Sequence, residues 1–246
     1  MKKLSLVAVS LFTATLIFAQ SNELDTYRKE SEEMRKSVWA WPDEKFKLRT
    51  IPEKYSKASK VVIAHHTALT AEGKSSVGVY GFGIGGRYKQ SITEIVRQVI
   101  KLNDKNAVTE YSELSFTQFK KQSGFYTSDK TSTFLGVRII KPNGTVKEIN
   151  ADEVVLTKDE KNEKQAKLAV PDLQAGDIID YYIATAQNSV NDLSQKPYNL
   201  QLFDDAPILN YSFHGQLGKK YAIEYRSYNG APELKVTRNN DDIIID

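Results

Sequence analysis

The stretch over residues 134–185 constrains the fold more than any other part of this chain, because period-2 alternation flanks strong turn signals there. Val137 and Ile139 share one face of a predicted strand, and the alternation resumes after residues 142–144, which read Pro-Asn-Gly. In that tripeptide proline presets φ, asparagine tolerates the left-handed region and glycine adopts positive φ at no steric cost. The pattern predicts a β-hairpin.

Other segments add to the β content. A turn over residues 173–177 leads into the β-rich run 178–185, and residues 61–69 form a clear apolar strand. Residues 91–102 are ambiguous, since the spacing of their isoleucines and valines suits a helix as well. Residues 103–106 predict a turn, and residues 111–119 a further strand.

Three sequence segments resemble those of a known family: IPEKYSKASKVVIA at residues 51–64, IKPNGTVKEI at 140–149 and LAVPDLQAGDIIDYYI at 168–183. In order and spacing they resemble the DUF3857 family, over roughly residues 51–226. The resemblance implies a β-rich module of secreted bacterial proteins, which usually lies in front of a transglutaminase-like domain. It also favours a strand for residues 91–102. We therefore expect a mostly-β protein, an antiparallel β-sandwich with one N-terminal helix.

The first 19 residues have the layout of a signal peptide. Lys2 and Lys3 precede an apolar run, and Ala19 offers a small residue for cleavage before Gln20. The run is short for a membrane span, although an uncleaved anchor is the alternative. No cysteine follows it, so a lipoprotein anchor is excluded. We expect an exported protein, periplasmic or extracellular at the cell surface, with no membrane span after cleavage.

Residues 20–50 are expected to form a helix and a linker. Asn22 is a candidate N-cap, apolar residues recur at spacings of three and four, and Pro42 ends the pattern. The apolar stripe fits either a partner-binding helix or one packed on its own domain.

Residues 51–246 are assigned to the DUF3857-like module. Residues 158–167 are predicted to be an exposed, highly charged loop. Residues 221–227 and 234–237 are predicted to pair across an Asn229-Gly230 turn. Residues 243–245, three isoleucines before Asp246, read as the poorly packed start of another strand, so we expect the natural chain to continue and the module to be truncated here.

The composition excludes several kinds of chemistry. There is no cysteine for a nucleophile, a disulfide or a thiolate metal site, and a net charge of +3 without a basic stripe argues against nucleic acid. His65 and His66 are adjacent on a strand and so point to opposite faces, while His214 stands alone. Three acidic pairs lack the spacing of a calcium loop and predict exposed turns, with an incidental calcium site as the alternative: Asp152-Glu153, Asp204-Asp205 and Asp241-Asp242. Gly73-Lys74-Ser75 resembles the end of a Walker A loop, but Ala68 stands where that motif needs a glycine. The Gly-x-Gly-x-x-Gly at residues 81–86 lacks the strand–turn–helix context of a dinucleotide-binding motif and predicts a glycine-rich loop.

The predicted function is an exported, non-catalytic module that is an accessory or scaffolding domain of a transglutaminase-like or peptidase-like protein. The resemblance places the catalytic Cys, His and Asp in a downstream domain of the same chain, which is the expected partner. We therefore expect no catalytic, cofactor-binding or metal-binding residue here, and no cofactor. The alternative is a free-standing surface module that binds glycan or peptide.

Overall fold

The computed structural model describes residues 24–80, 83–192 and 198–246. The chain divides into two compact units, Met1–Trp41 and Pro42–Asp246. The predicted signal peptide, with its cleavage point, lies outside the described residues.

The described part of the first unit is helix α1, over residues 24–39. It confirms the predicted N-terminal helix, although the proposed cap at Asn22 lies outside the described residues. Its surface carries an i,i+4 ion pair in which Lys36 Nζ lies 2.6 Å from Glu32 Oε1.

The second unit is a mostly antiparallel sheet of eleven strands, and this confirms the mostly-β prediction. Its main path runs β10-β11-β9-β1-β2-β8-β4-β3-β7-β6, with β5 paired to β4. Among the strands of the described residues, only β1 and β9 pair parallel. All of these strands belong to one hydrogen-bonded sheet, so two separately packed sheets, as in a sandwich, stay a prediction. The strands are β1 (Lys60–Tyr80), β2 (Gly83–Leu102), β3 (Glu113–Ser123), β4 (Ser128–Ile140), β5 (Val146–Ile149), β6 (Val155–Glu160), β7 (Glu163–Ala169), β8 (Ile178–Val190), β9 (Tyr211–Gly218), β10 (Val236–Arg238) and β11 (Asp242–Ile245).

The hairpin of β1 and β2 is the longest element and corrects one prediction. Its register runs continuously from Lys60 opposite Leu102 to Tyr80 opposite Gly83, with one bulge between Val62 and Ala64. The ambiguous residues 91–102 are therefore strand, as the family resemblance implied. The predicted glycine-rich loop is wrong over its described residues, because cross-strand pairing holds those glycines in extended backbone; residues 81–82 lie outside the description.

The central hairpin predicted from the sequence is confirmed. β4 and β5 pair antiparallel from Val137 opposite Ile149 to Ile140 opposite Val146. Gly144 has φ +85°, and its N–H donates to the Lys141 carbonyl over 2.8 Å. The turn therefore uses glycine for the reason the sequence indicated.

A short helix, α2 (Lys105–Tyr111), stands where a turn and a strand were expected. Asp104 caps it by accepting from the Ala107 N–H at 3.0 Å, and Ser59 donates to the same carboxyl oxygen over 2.7 Å. Burial of Ala107 and Tyr111 then fixes the helix on the sheet. The prediction that the strand begins at residue 111 was wrong by two residues, since β3 begins at Glu113.

The charged segment 158–167 is a hairpin, not a loop. β6 and β7 pair across it, and cross-strand neighbours such as Asp159 and Lys164 carry opposite charges. β6 is exposed along its whole length, but β7 buries Ala166 and Leu168. Burial of one face of β7 favours strand over the loop that the charges suggested.

The C-terminal prediction is corrected in two places. Asn229 and Gly230 form the expected turn with φ of +55° and +77°, but residues 221–228 are not a strand. β11 lies between β9 and β10, and Ile243 and Ile245 are 3 % and 8 % exposed. The expected poor packing of residues 243–245 is therefore wrong, since two strand neighbours and a buried face hold them.

Apolar clusters lie on the sheet, among them a larger and a smaller one. The larger is built on β1, β2, β4 and β8 and is closed by α2 and the turn before β8. The smaller is formed mainly by Ala71, Leu217, Ile243 and Ile245. Polar side chains lie in the same strands as the larger cluster, and they form the candidate site.

Candidate functional site

The register places the two adjacent histidines on opposite faces of the sheet, as predicted. His66 lies opposite Arg97 and His65 opposite Gln98. Each histidine therefore belongs to a different row of cross-strand neighbours.

The His66 face contains a buried ion pair that sequence reasoning missed. Arg97 Nε and Nη2 donate to the two carboxylate oxygens of Asp180 over 3.0 and 2.9 Å, and both side chains are 4 % exposed. The Phe46 ring covers the guanidinium, with Arg97 Cζ 4.0 Å from the ring centroid. A signal existed, because each charged residue directly follows two apolar residues, residues 95–96 before Arg97 and residues 178–179 before Asp180.

His66 is held beside this ion pair. Its Nδ1 lies 2.8 Å from Ser212 Oγ, and its ring meets the edge of Phe46 at a centroid distance of 6.3 Å. Burial lowers the pKa of His66, an effect that the carboxylate of Asp43 opposes. The imidazole is therefore neutral at pH 7.

On the His65 face, four side chains from four strands contact one another in a row through stacking and hydrogen bonds. They are Tyr211, His65, Gln98 and Tyr181. His65 stacks on Tyr211 at a centroid distance of 4.5 Å and an interplanar angle of 20°. Gln98 Nε2 lies 2.8 Å from His65 Nδ1, and the Tyr181 hydroxyl donates to Gln98 Oε1. We call this set the tyrosine–histidine row.

Burial lowers the pKa of His65 to about 4, and the neighbouring His66 adds to the effect. A neutral imidazole that accepts from Gln98 at Nδ1 carries its proton on Nε2, which lies 3.3 Å from Thr67 Oγ1. Burial likewise raises the pKa of Tyr181 above its ordinary value. The row is therefore uncharged at neutral pH, which suits a structural network.

A charged cluster adjoins the row at Tyr181. The Tyr111 ring lies 6.0 Å from that of Tyr181, and Lys60 Nζ lies 5.6 Å from the Tyr111 centroid. Lys60 Nζ also bonds Glu110 at 2.6 Å and Asp205 at 2.9 Å. Burial opposes the charge of Lys60, but these two carboxylates raise its pKa, so the ammonium stays charged. Asp205 was predicted to lie in a simple exposed turn, and its ion pair to Lys60 gives it a partner.

A groove of about 620 Å³ lies next to residues 207–210, and we call it the edge groove. Polar and apolar groups line it in about equal measure, and its lining residues are Leu48, Thr50, Ile51, Pro52, Lys54, Tyr55, Ile208, Leu209 and Asn210. Its volume lies within the range of ligand sites. No local sequence motif indicated this groove, because its two walls are 153 residues apart in the chain.

The backbone of residues 207–210, beside the groove, extends β9 at its N-terminal end. Val62 N–H donates to the Pro207 carbonyl over 2.9 Å, and Leu209 N–H donates to the Val62 carbonyl over 2.8 Å. The other neighbour of β9, β11, begins its pairing only at Gly215. The edge groove therefore lies along residues 207–210, which come before the part of β9 that pairs with β11.

The remaining sequence-predicted features are dispersed. His214 Nδ1 bonds Asp246 Oδ1 at 2.8 Å, and His214 lies two residues beyond Ser212 on the same face of β9. Gly73-Lys74-Ser75 lies inside β1. Within residues 24–80, 83–192 and 198–246, no three His, Asp or Glu side chains are grouped as metal ligands. In the same described part of the chain, no helix is long and apolar enough to cross a membrane.

Comparison with known proteins identifies the family. Residues 89–245 match the family model described as "Domain of Unknown Function with solved-structure structure (DUF3857)", and the chain belongs to this family. No curated protein matches. A solved structure that matches is that of "a putative protease from Parabacteroides distasonis ATCC 8503", with 10 % identity and a TM-score of 0.47. That match covers 76 % of this chain and 35 % of the other, so the chain spans about a third of the length of that protein.

Proposed function

We propose that this chain is the non-catalytic β module of an exported transglutaminase-like or peptidase-like protein, and that its edge groove holds an extended polypeptide segment of the catalytic domain. The edge groove is the observation that carries the proposal. Membership of DUF3857 supports it, because the sequence resemblance implies a module in front of such a domain.

The groove has the chemistry of a polypeptide site. Ile51, Ile208 and Leu209 provide apolar contact area, while Asn210 and Thr50 offer hydrogen-bonding groups. A segment that lies along residues 207–210 would be added to the sheet as a further strand. It would lie on the same side of β9 as β11 does. The backbone would then give affinity and the apolar walls would select side chains.

The polar side chains of the sheet support a non-catalytic role. A general base must be free to reach a substrate proton. His65 and His66 are instead neutral and bonded to Gln98 and Ser212, and Lys60 is held by two carboxylates. These contacts fit side chains that hold strands together.

Site-specific photocrosslinking tests the proposal. A benzophenone amino acid replaces Tyr55 in the groove, and as a matched control Tyr228, which is 66 % exposed. The protein is expressed from its natural gene, with whatever follows the codon for Asp246, and crosslinked peptides are identified by mass spectrometry. We expect crosslinks from position 55, not 228, to a domain with a Cys, His and Asp in that order, and Leu209→Glu should abolish them.

Two results would overturn the proposal. Equal crosslinking from both positions would show that the groove holds nothing specific, and a crosslink from position 55 to an unrelated peptide or glycan would favour a free-standing binding module. Separately, purified residues 20–246 should show no amine-incorporation or peptidase activity. Turnover that survives repurification and is lost by one point substitution would contradict a non-catalytic role.

A further inference from the structure

Strand pairing brings lysines from four strands together as two like-charged pairs. Lys121 of β3 lies directly opposite Lys130 of β4, and Lys74 of β1 lies directly opposite Lys89 of β2. Like charges directly opposite one another destabilise a sheet, so each pair has a cost in the free protein. No basic stripe was visible in the sequence, because these lysines are spread over residues 74–130 and only the register brings them together.

Both pairs lie on the same face of the sheet. Lys130 lies opposite Asn188 of β8, and Asn188 lies opposite Ser91 of β2, which is two residues from Lys89. Arg87 is two residues further along β2, so its side chain shares this face. Two strand spacings of about 4.8 Å and two residues of about 3.4 Å place the Cα atom of Lys130 about 12 Å from that of Lys89. We call the five cations the cationic patch: Lys74, Arg87, Lys89, Lys121 and Lys130.

The cationic patch faces solvent and keeps an excess of positive charge. Lys74, Lys89 and Lys121 are exposed, and the other two members are partly buried. Two carboxylates lie close in contact or in sequence: Glu72 is 3.8 Å from Lys74, and Asp192 follows β8 by two residues. They do not neutralise five cations, and an exposed ion pair at 3.8 Å is weak. An anionic ligand would therefore relieve the repulsion between the lysines.

The surface between the two lysine pairs is polar and uncharged. Asn188 and Ser91 are exposed there, and Ser128 lies beside them on β4. Their amide and hydroxyl groups both donate and accept hydrogen bonds, as sugar hydroxyls do. The ligand that matches this surface is a polymer that carries anionic groups at intervals and hydroxyl groups between them.

Other anionic partners match the patch less well. The centres of protein interfaces are rich in aromatic residues and depleted in lysine and serine, and a second copy would bring like charges together. Single-stranded nucleic acid is bound by stacking on aromatic rings, but the Phe119 ring on this face is covered by Lys130, whose Nζ lies 5.5 Å from the centroid. A bilayer would gain no apolar contact, because Val79 and its apolar neighbours in the β1–β2 hairpin point to the opposite face.

We propose that the cationic patch binds a linear anionic polysaccharide. Each lysine pair holds a carboxylate or phosphate group of the polymer, and Asn188 and Ser91 bond the sugar hydroxyls between them. The contact with a polymer outside the cell rests on the export that is part of the proposed function. None of the residues of the edge groove takes part, so a failure of this proposal leaves the groove and its partner segment unaffected.

Titration calorimetry of the whole chain tests the proposal. The probes are polygalacturonate, which carries carboxylates, and phosphomannan, which carries phosphates, with neutral dextran as the reference. We expect binding to at least one of the two anionic polymers and not to dextran, with an affinity that falls as the salt concentration rises. Lys74→Gln/Lys89→Gln and Lys121→Gln/Lys130→Gln should each weaken this binding about fivefold.

The matched control is Lys57→Gln/Lys105→Gln. These two exposed lysines flank the opposite end of the β1–β2 hairpin, so their removal changes the net charge equally but should leave the affinity unchanged. Whichever polymer binds should also protect Lys89 and Lys121, but not Lys57, from chemical acetylation, as measured by mass spectrometry. The melting temperatures of the patch variants should not fall, because each variant removes a like-charged pair.

Several results would overturn the proposal. Binding to neither anionic polymer, equal binding to dextran, or a loss of affinity in the patch variants no greater than in the control would each contradict it. Binding of equal strength to polyglutamate, to single-stranded DNA or to phosphatidylglycerol vesicles would also contradict it, in favour of an acidic peptide, a nucleic acid or a membrane as the ligand.

Discussion

Arg97 and Asp180 form a two-pronged ion pair between β2 and β8, with both side chains 4 % exposed and the Phe46 ring over the guanidinium. Burial removes water from both charges, so each depends on the other and on the aromatic cover for compensation. The pair therefore fixes how these two strands and the segment carrying Phe46 fit together.

Removal of one member of the Arg97–Asp180 ion pair should lower the free energy of unfolding substantially. We expect Asp180→Ala to lower the free energy of unfolding by about 3–5 kcal/mol, because the Arg97 guanidinium is left buried without its carboxylate. The double variant Arg97→Met/Asp180→Leu should recover most of this loss. The control is Glu148→Gln, whose partner Arg138 is 3.4 Å away and partly exposed, and which should cost less than about 1 kcal/mol. Denaturant unfolding of the four proteins measures these values, and equal costs for the two single variants would contradict the argument.

Sequence reasoning predicted those elements whose signals are local. The hairpin at Gly144 and the strand over residues 61–69 were found because period-2 alternation and turn chemistry act over a few residues. The charged hairpin of β6 and β7 was missed, since its strand character comes from burying Leu168 against residues distant in sequence. Helix α2 was not predicted, because the residues around its N-cap Asp104 were interpreted as a turn and its last residue, Tyr111, as the start of a strand.

The candidate site was less predictable than the fold. That His65 and His66 point to opposite faces follows from strand geometry alone and was correctly inferred. Their partners Gln98 and Ser212 are set by strand register, which the sequence did not specify. The edge groove depends on long-range packing, so no spacing rule could have indicated it.

Two glycines should be sensitive for different reasons. A Cβ on Gly136 would lie 2.8 Å from Cζ of the fully buried Tyr182, while one on Gly144 would meet nothing within 4 Å but would stand at φ +85°. We expect Gly136→Ala to cost about 1–3 kcal/mol through overpacking and Gly144→Val about 1–3 kcal/mol through backbone strain. Adding Tyr182→Leu should reduce the cost of Gly136→Ala but not that of Gly144→Val. Thermal melts of the single and double variants test this, and additive effects at Gly136 would refute the steric explanation.

The predicted signal peptide gives a prediction about the mature chain. If residues 1–19 direct export, the intact mass of the exported protein should correspond to a chain that begins at Gln20. Mass spectrometry and N-terminal sequencing of the exported protein measure this directly. Retention of Met1 with residues 2–19 would contradict it.

His65 should make stability depend on pH. Its folded-state pKa of about 4 lies below the ordinary value of 6.5, so the unfolded chain binds the proton more tightly. The stabilising contribution of the neutral ring is complete above about pH 6.5 and is lost as the pH falls toward 4. Denaturant midpoints between pH 7.5 and 4 should therefore fall more steeply for the wild type than for His65→Gln. Equal slopes for the wild type and His65→Gln would contradict this expectation.

The C-terminal isoleucines should behave as a paired strand of the sheet. Ile243 and Ile245 face the small cluster with Leu217, while Ile244 points to the other face and is only partly buried. Because β9 and β10 flank β11, the amides of all three isoleucines should be protected in hydrogen exchange by pairing on one side or the other. Ile243→Ala should lower the free energy of unfolding by about 2–5 kcal/mol, and Ile244→Ala by clearly less. Rapid exchange at these amides, or equal costs for the two variants, would mean that β11 does not hold its place between its neighbours.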